Sequence, residues 1–207
     1  MARHVQAAGG DDDDLAAALV PTLEGIVRHH MAGTRFGIRV DPADGLVTQG
    51  AEGWALTWMD ARVDGVPVTA RAGKPVEVNA LWVSGLTGLA RLQAGVGRDA
   101  AATVALAETA RRSFVARYPR ADGGGLYDVV DGLSGDDPTV RPNQLLAVSL
   151  PDAPLRGRRD VVEACAPLVT SLGLRSLPPG DPGYLGSHRG DPPGATGPTT
   201  WARCGPG

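Results

Sequence analysis

The stretch Pro75-Val76-Glu77-Val78-Asn79-Ala80-Leu81-Trp82-Val83-Ser84-Gly85-Leu86-Thr87-Gly88-Leu89-Ala90-Arg91-Leu92-Gln93-Ala94-Gly95 decides how this chain is read. Val78, Leu81, Trp82, Leu86, Leu89 and Leu92 recur at helical spacing and predict a broad apolar face to about Gly95. Pro75 suits the first turn of such a helix, where a missing N–H costs nothing. A second run over residues 100–118 carries Val104, Leu106, Ala107, Ala110, Phe114 and Val115 at the same period. Gly95 and Gly97 lie between the two runs. No strand precedes them and no third glycine follows, so they read as a helix–helix turn rather than a phosphate loop. Two helices on so short a link form an αα-hairpin.

Upstream, Leu15, Leu19, Leu23 and Ile26 predict a helix over residues 14–32, with Gly33 as its stop and Pro21 as a kink or as its true first turn. Asp11 to Asp14 place negative charge where a helix N-terminus favours it, and read as a solvated start rather than a metal site. Residues 34–74 lack a convincing helix. Ile38 and Val40 alternate, Asp44-Gly45 signals a tight turn, and Val66-Pro67-Val68-Thr69 reads as a short strand. So long an irregular segment in a helical chain is usually functional. Downstream, residues 120–141 form a second long connection, short helices are predicted at 142–149 and 159–170, and 173–197 is Gly- and Pro-rich loop. Hairpin, long loop, hairpin, long loop predicts an all-α toroid with a small β excursion at about 35–70 and a site on one rim.

The polar residues of those loops cluster with aromatics. Leu56-Thr57-Trp58-Met59-Asp60-Ala61 sets an acid beside a tryptophan and a methionine. A sugar ring can stack on an indole while a carboxyl reaches the glycosidic oxygen, and an apolar wall would raise that carboxyl's pKa. Standing alone, the run reads more readily as an N-cap aspartate beside a core tryptophan. It is joined, however, by the 73–82 segment with Glu77, Asn79 and Trp82, by Gly124-Gly125-Leu126-Tyr127-Asp128-Val129-Val130-Asp131-Gly132, and by Arg141-Pro142-Asn143-Gln144.

Composition excludes several classes. The 207 residues carry a net charge of -3 and a pI near 5.8, which argues against a nucleic-acid partner. Lys74 is the only lysine, an arginine bias that fits GC-rich coding better than a binding patch. No stretch is apolar enough to span a bilayer and no signal-peptide run begins the chain, so no membrane partner and a cytoplasmic location are expected. Cys165 and Cys204 have no metal spacing and His29 and His30 are adjacent, so no metal or cofactor is expected. No nucleophilic triad can be assembled.

Taken in order, Gly33-Thr34-Arg35-Phe36-Gly37-Ile38, the 56–61 run, the 73–82 run, the 125–132 run, Arg141 to Gln144, Gly173-Leu174-Arg175-Ser176-Leu177, and Pro182-Gly183-Tyr184 through Gly190-Asp191-Pro192 resemble the glucosidase domain of prokaryotic glycogen debranching enzymes, the amylo-α-1,6-glucosidase type. The likeness spreads from about residue 15 to residue 195. It implies a slice of an (α/α)6 barrel, a six-hairpin glycosidase, with glycogen or a branched α-glucan as partner and hydrolysis of the α-1,6-linked glucose at a branch point. The family's proton donor falls on Asp60. Trp58, Glu77, Asn79, Tyr127, Asp128, Arg141, Asn143 and Gln144 fall in segments that bind substrate. The family's second carboxylate has no counterpart in this sequence. Inverting glycosidases hold their two carboxyls about 6.5–9.5 Å apart. Glu77 and Asp128 are formal alternatives as base, but Glu77 suits a first helical turn and Asp128 a hydrogen bond to a sugar hydroxyl. Trp58 and Trp82 are stacking candidates or simple core. A glucoamylase- or trehalase-like glycosidase and a non-catalytic glucan-binding remnant are the competing readings.

The partial domain is bounded at residues 1–197, and Pro198-Thr199-Thr200-Trp201-Ala202-Arg203-Cys204-Gly205-Pro206-Gly207 looks unrelated to the family. There the family runs into Tyr-His-x-Gly-Thr-Val-Trp-Pro-Trp. Codons for Pro-Tyr-His-Leu-Gly-Thr-Val-Trp-Pro-Trp, read one nucleotide later, translate into 198–207 residue for residue. The expectation is an out-of-frame tail on a partial domain, poorly folded alone and inactive.

Overall fold

The computed structural model describes residues 12–184. The 198–207 tail, Asp11 and the loop beyond 184 lie outside the described residues. Helix α1 spans Asp12–Ala32, and Pro21 sits inside it rather than at its start. His29 and His30 occupy its last turn, the end where positive charge is favoured, and Gly33 stops it at φ 88. Its most buried side chains are Ala16 and Val20, while Ile26 of the expected stripe is exposed.

The decisive stretch forms α2, Val76–Gly95, and the following run forms α3, Ala101–Arg117. Between them Gly97 takes φ 70, and Arg98 N donates to Gln93 O at 2.8 Å. That bond closes the last turn of α2 with glycine in the left-handed position, so the pair of glycines is a helix stop. At the far end of the hairpin the buried Tyr118 hydroxyl, just past α3, donates to Lys74 O at 2.9 Å. The exit of α3 is thereby fastened to the start of α2, and the two helices run antiparallel.

The buried face of α2 is rotated from the one the leucines predict. Val76, Glu77, Asn79, Ala80, Val83, Leu86, Leu89, Ala90 and Gln93 are buried, whereas Leu81 is 50% exposed. Three of these are polar, and each is tied: Glu77 to Arg71, Asn79 to the Val47 backbone, Gln93 to Glu24. Paired polar groups can occupy core positions that hydrophobicity alone assigns to leucine. Around them packs one core that includes Leu46, Val83, Phe114, Tyr118, Leu126, Val130 and Val161.

The β content is wider than expected. β1 (Arg39–Val40) pairs antiparallel with β2 (Val47–Thr48), and β3 (Arg62–Val63) with β4 (Val66–Pro67), within the anticipated excursion. Outside it, β5 (Lys74–Pro75), β6 (Val129–Gly132) and β7 (Gly135–Asp137) form a three-stranded antiparallel sheet. Pro75 therefore ends a strand and caps α2 instead of opening its first turn. The β-branched pair Val129-Val130 reaches the core from a segment whose Gly and Asp density reads as loop.

The last elements are shorter than expected. A 3₁₀ turn at Pro142–Leu145 leads into α4, Leu146–Ser149. α5, Arg159–Ala164, gives way to a 3₁₀ turn at Ala166–Leu168, where Pro167 cannot continue an α-helix. No helix among the described residues is long and apolar enough to cross a membrane.

Candidate functional site

Three backbone pairings at the start of α2 assemble a charged cluster. Gln49 and Gly73 exchange hydrogen bonds of 2.9 and 2.8 Å, which fixes the segment carrying Arg71. Lys74 and Pro75 of β5 face Val130 and Val129 of β6. Val76 N then donates to Asp128 O at 2.9 Å, so Asp128 arrives beside the first turn of α2, where Glu77 stands. Gly73 permits this approach. At φ +123 its Cα lies so near the sheet that an added Cβ would sit 2.9 Å from Asp131 O and Val130 O.

Arg71 is the centre of the cluster. Its Nη2 donates to Glu77 Oε2 at 2.6 Å, and Nη1 donates to Glu77 Oε1. Nε and Nη2 donate to the two Asp128 carboxylate oxygens at 2.7 and 2.9 Å. Nη1 also reaches Thr57 Oγ1 at 3.2 Å. Arg141 Nε approaches Asp128 Oδ2 at 3.3 Å. Burial opposes the charge on Arg71, but Glu77 and Asp128 outweigh it and hold the guanidinium above its ordinary pKa. For Asp128, burial pushes the carboxyl up while Arg71 and Arg141 pull it back, leaving it above the usual range. Two arginines against two carboxylates make the cluster neutral.

The sequence-predicted residues divide around this centre. Glu77, Asp128, Arg141 and Asn143 belong to it, and Trp58 hangs from it. Asn143 Nδ2 donates to Asp128 Oδ1 at 2.9 Å, and Asn143 Oδ1 accepts from Trp58 Nε1 at 3.1 Å. Trp58 is nevertheless 59% exposed, an indole tethered by its N–H with its rings toward solvent. Asp60, two residues on, is exposed. Gln144 braces the backbone, accepting from Leu126 N at 3.0 Å and donating to Arg141 O at 3.2 Å. Asn79 stands apart, bonded to both backbone groups of Val47 at 2.7 and 3.0 Å. Tyr127 packs half-buried against the core. Trp82 donates to Gly45 O at 3.0 Å and stacks on His30 with centroids 5.4 Å apart, which makes it a strut between α1 and α2.

Arg71 escapes a reading by motif, since Ala70-Arg71-Ala72 has no aromatic and no pattern. One signal points to it. Two carboxylates set among apolar residues require a counter-charge, and a forked guanidinium serves two at once. Glu77 and Asp128 are spent on that pairing, and neither offers a free carboxylate to activate water. A second cation is caged nearby: Lys74 Nζ meets Asp41, Asp44 and Asp131 at 2.8, 2.6 and 2.8 Å. Beside Arg141 opens a recess of about 250 Å³ whose lining includes Thr139, Leu177 and Asp181.

These features describe a helical domain whose loops gather, at one end of a hairpin, a buried ionic centre with an exposed tryptophan and an acid at its edge. The family model described as amylo-alpha-1,6-glucosidase matches residues 2–196, and the chain belongs to that family. At the level of the family, this is a glucosidase-type role in glycogen debranching. No curated protein and no solved structure matches the chain.

Proposed function

We propose that the segment forms part of an α-1,6-glucosidase site that hydrolyses branch-point glucose in glycogen or a related glucan, with inversion, on an (α/α)6 toroid to which the α2–α3 hairpin contributes. The family match over 2–196 carries this reading. In it Asp60 gives a proton to the leaving oxygen, and Trp58 offers its exposed face to a sugar ring. Arg141, Asn143 and Gln144 shape the wall, with Tyr127 and Asn79 behind it. Asp128 and Glu77 act through Arg71, holding that wall together. No residue of the chain takes the part of the base, so the chain by itself releases no glucose. Residues 198–207 we read as an out-of-frame tail on the codon shift alone.

A longer family member carrying this segment tests the proposal. Incubated with branched limit dextrin, linear maltooligosaccharide and trehalose, it should release glucose from limit dextrin at the highest rate. Preference for either of the other two would move the assignment to a glucoamylase- or trehalase-like enzyme. The nucleotide sequence after codon 197 tests the tail, since an alternative frame must restore the histidine–tryptophan segment.

A further inference from the structure

The Arg71 guanidinium reaches the 57–60 run by two routes. Directly, Nη1 donates to Thr57 Oγ1 at 3.2 Å. Indirectly, Arg71 holds the Asp128 carboxylate, Asp128 Oδ1 accepts from Asn143 Nδ2, and Asn143 Oδ1 accepts from the Trp58 indole at 3.1 Å. The direction of this relay is forced. An ionised carboxylate only accepts and an indole N–H only donates, so the amide between them has one orientation that satisfies both. All five N–H groups of Arg71 are used within the cluster, and its side chain is 1% exposed. It has nothing left with which to touch a ligand.

We infer that Arg71 is the positioning residue of the Trp58 platform: it fixes where the indole stands by orienting the Asn143 amide through Asp128, and by holding Thr57 it sets the start of the run that carries Asp60. The inference rests on the proposed glucosidase reading only for what the platform binds. Lysine cannot replace the arginine here. An ammonium offers three donors from one point, too few to grip both oxygens of Glu77 and both of Asp128 and still reach Thr57.

The test follows the Trp58 indole N–H in the ¹⁵N-labelled full chain, its signal assigned by loss in Trp58→Phe. The Trp82 indole, bonded to Gly45 O, serves as an internal record of the fold. Arg71→Lys and Asn143→Ala should each move the Trp58 signal toward a free indole. Each should speed its hydrogen exchange by about fivefold to tenfold, the factor a net hydrogen bond supplies, with the Trp82 signal in place. Combining the two should add nothing further. An unmoved Trp58 signal in folded Arg71→Lys overturns the inference. Should that variant lose the Trp82 signal, Asp128→Ala decides, because it removes the acceptor of the Asn143 amide and leaves Arg71 paired with Glu77. An unmoved Trp58 signal there overturns the inference equally. No sugar enters the measurement, so its failure leaves the glucosidase reading standing.

Discussion

Asp60→Asn keeps the size of the side chain and its power to hydrogen-bond, and removes only the proton. If Asp60 is the general acid, the equivalent change in a longer family member should lower turnover by about 10²–10⁴-fold while binding of limit dextrin persists. Steady-state rates and a binding titration read the two effects apart, and near-normal turnover would reject the assignment. Arg71→Met is a different kind of loss. It strands the buried Glu77 carboxylate and leaves Asp128 with Arg141 alone as counter-charge, and removing one partner of a buried pair costs about 3–5 kcal/mol. Urea unfolding should show that cost, with less from Glu77→Gln, which leaves Arg71 still paired to Asp128. The Lys74 cage behaves differently because its acids are partly exposed. The Lys74 bond holds the Asp41 carboxyl below its ordinary range, and Arg117 and Lys74 do the same for Asp131. Around pH 4 these groups bind fewer protons folded than unfolded, so their stabilisation is present above the unfolded value and is lost as pH falls through the folded one. Melting temperature should therefore drop between about pH 5 and 3. In Lys74→Met that acid slope should flatten, because Asp41 then loses its counter-ion and Asp131 keeps only Arg117.

At the scale of elements, the rotated face of α2 gives a clean contrast. Leu86 is 1% exposed and Leu81 50%. Leu86→Ala should cost about 2–5 kcal/mol, while Leu81→Ala should stay within about 0.5 kcal/mol, both read from chemical denaturation. Equal costs would restore the face that the leucines predict. Gly73→Ala should destabilise by about 1–3 kcal/mol, since it demands a positive φ of alanine and presses its Cβ onto the β6 backbone. The helices themselves were legible in the sequence because their period is local: 14–32, 75–95 and 100–118 fall within two residues of the observed bounds. The β5–β6–β7 sheet was not, because Lys74 and Val130 are partners only through a fold that brings them together. The same holds for the cluster. Its acids and Asn143 stand in recognisable motifs, whereas Arg71 is defined by what it joins and by nothing next to it.

The whole molecule exposes several large apolar side chains, among them Met31, Val104, Val115, Leu133, Val162 and Leu172. A recess of about 560 Å³ between α4 and α5 is lined by Leu145, Val148 and Val162. Surfaces of this kind associate. Light scattering on the purified chain should show mass rising with concentration, and a monomer that persists at high concentration would count against the picture of incompletely covered helices.

The enclosure of Lys74 bears on chemistry that has no connection with folding. Glycation begins when the aldehyde of a reducing sugar condenses with a neutral, accessible amine. This chain has one ε-amine. It is 4% exposed and surrounded by three carboxylates, and although burial alone would lower its pKa, those acids carry it above the ordinary lysine value. A protein built in this way can sit among free sugar ends, whatever their source, and present them with no lysine to modify.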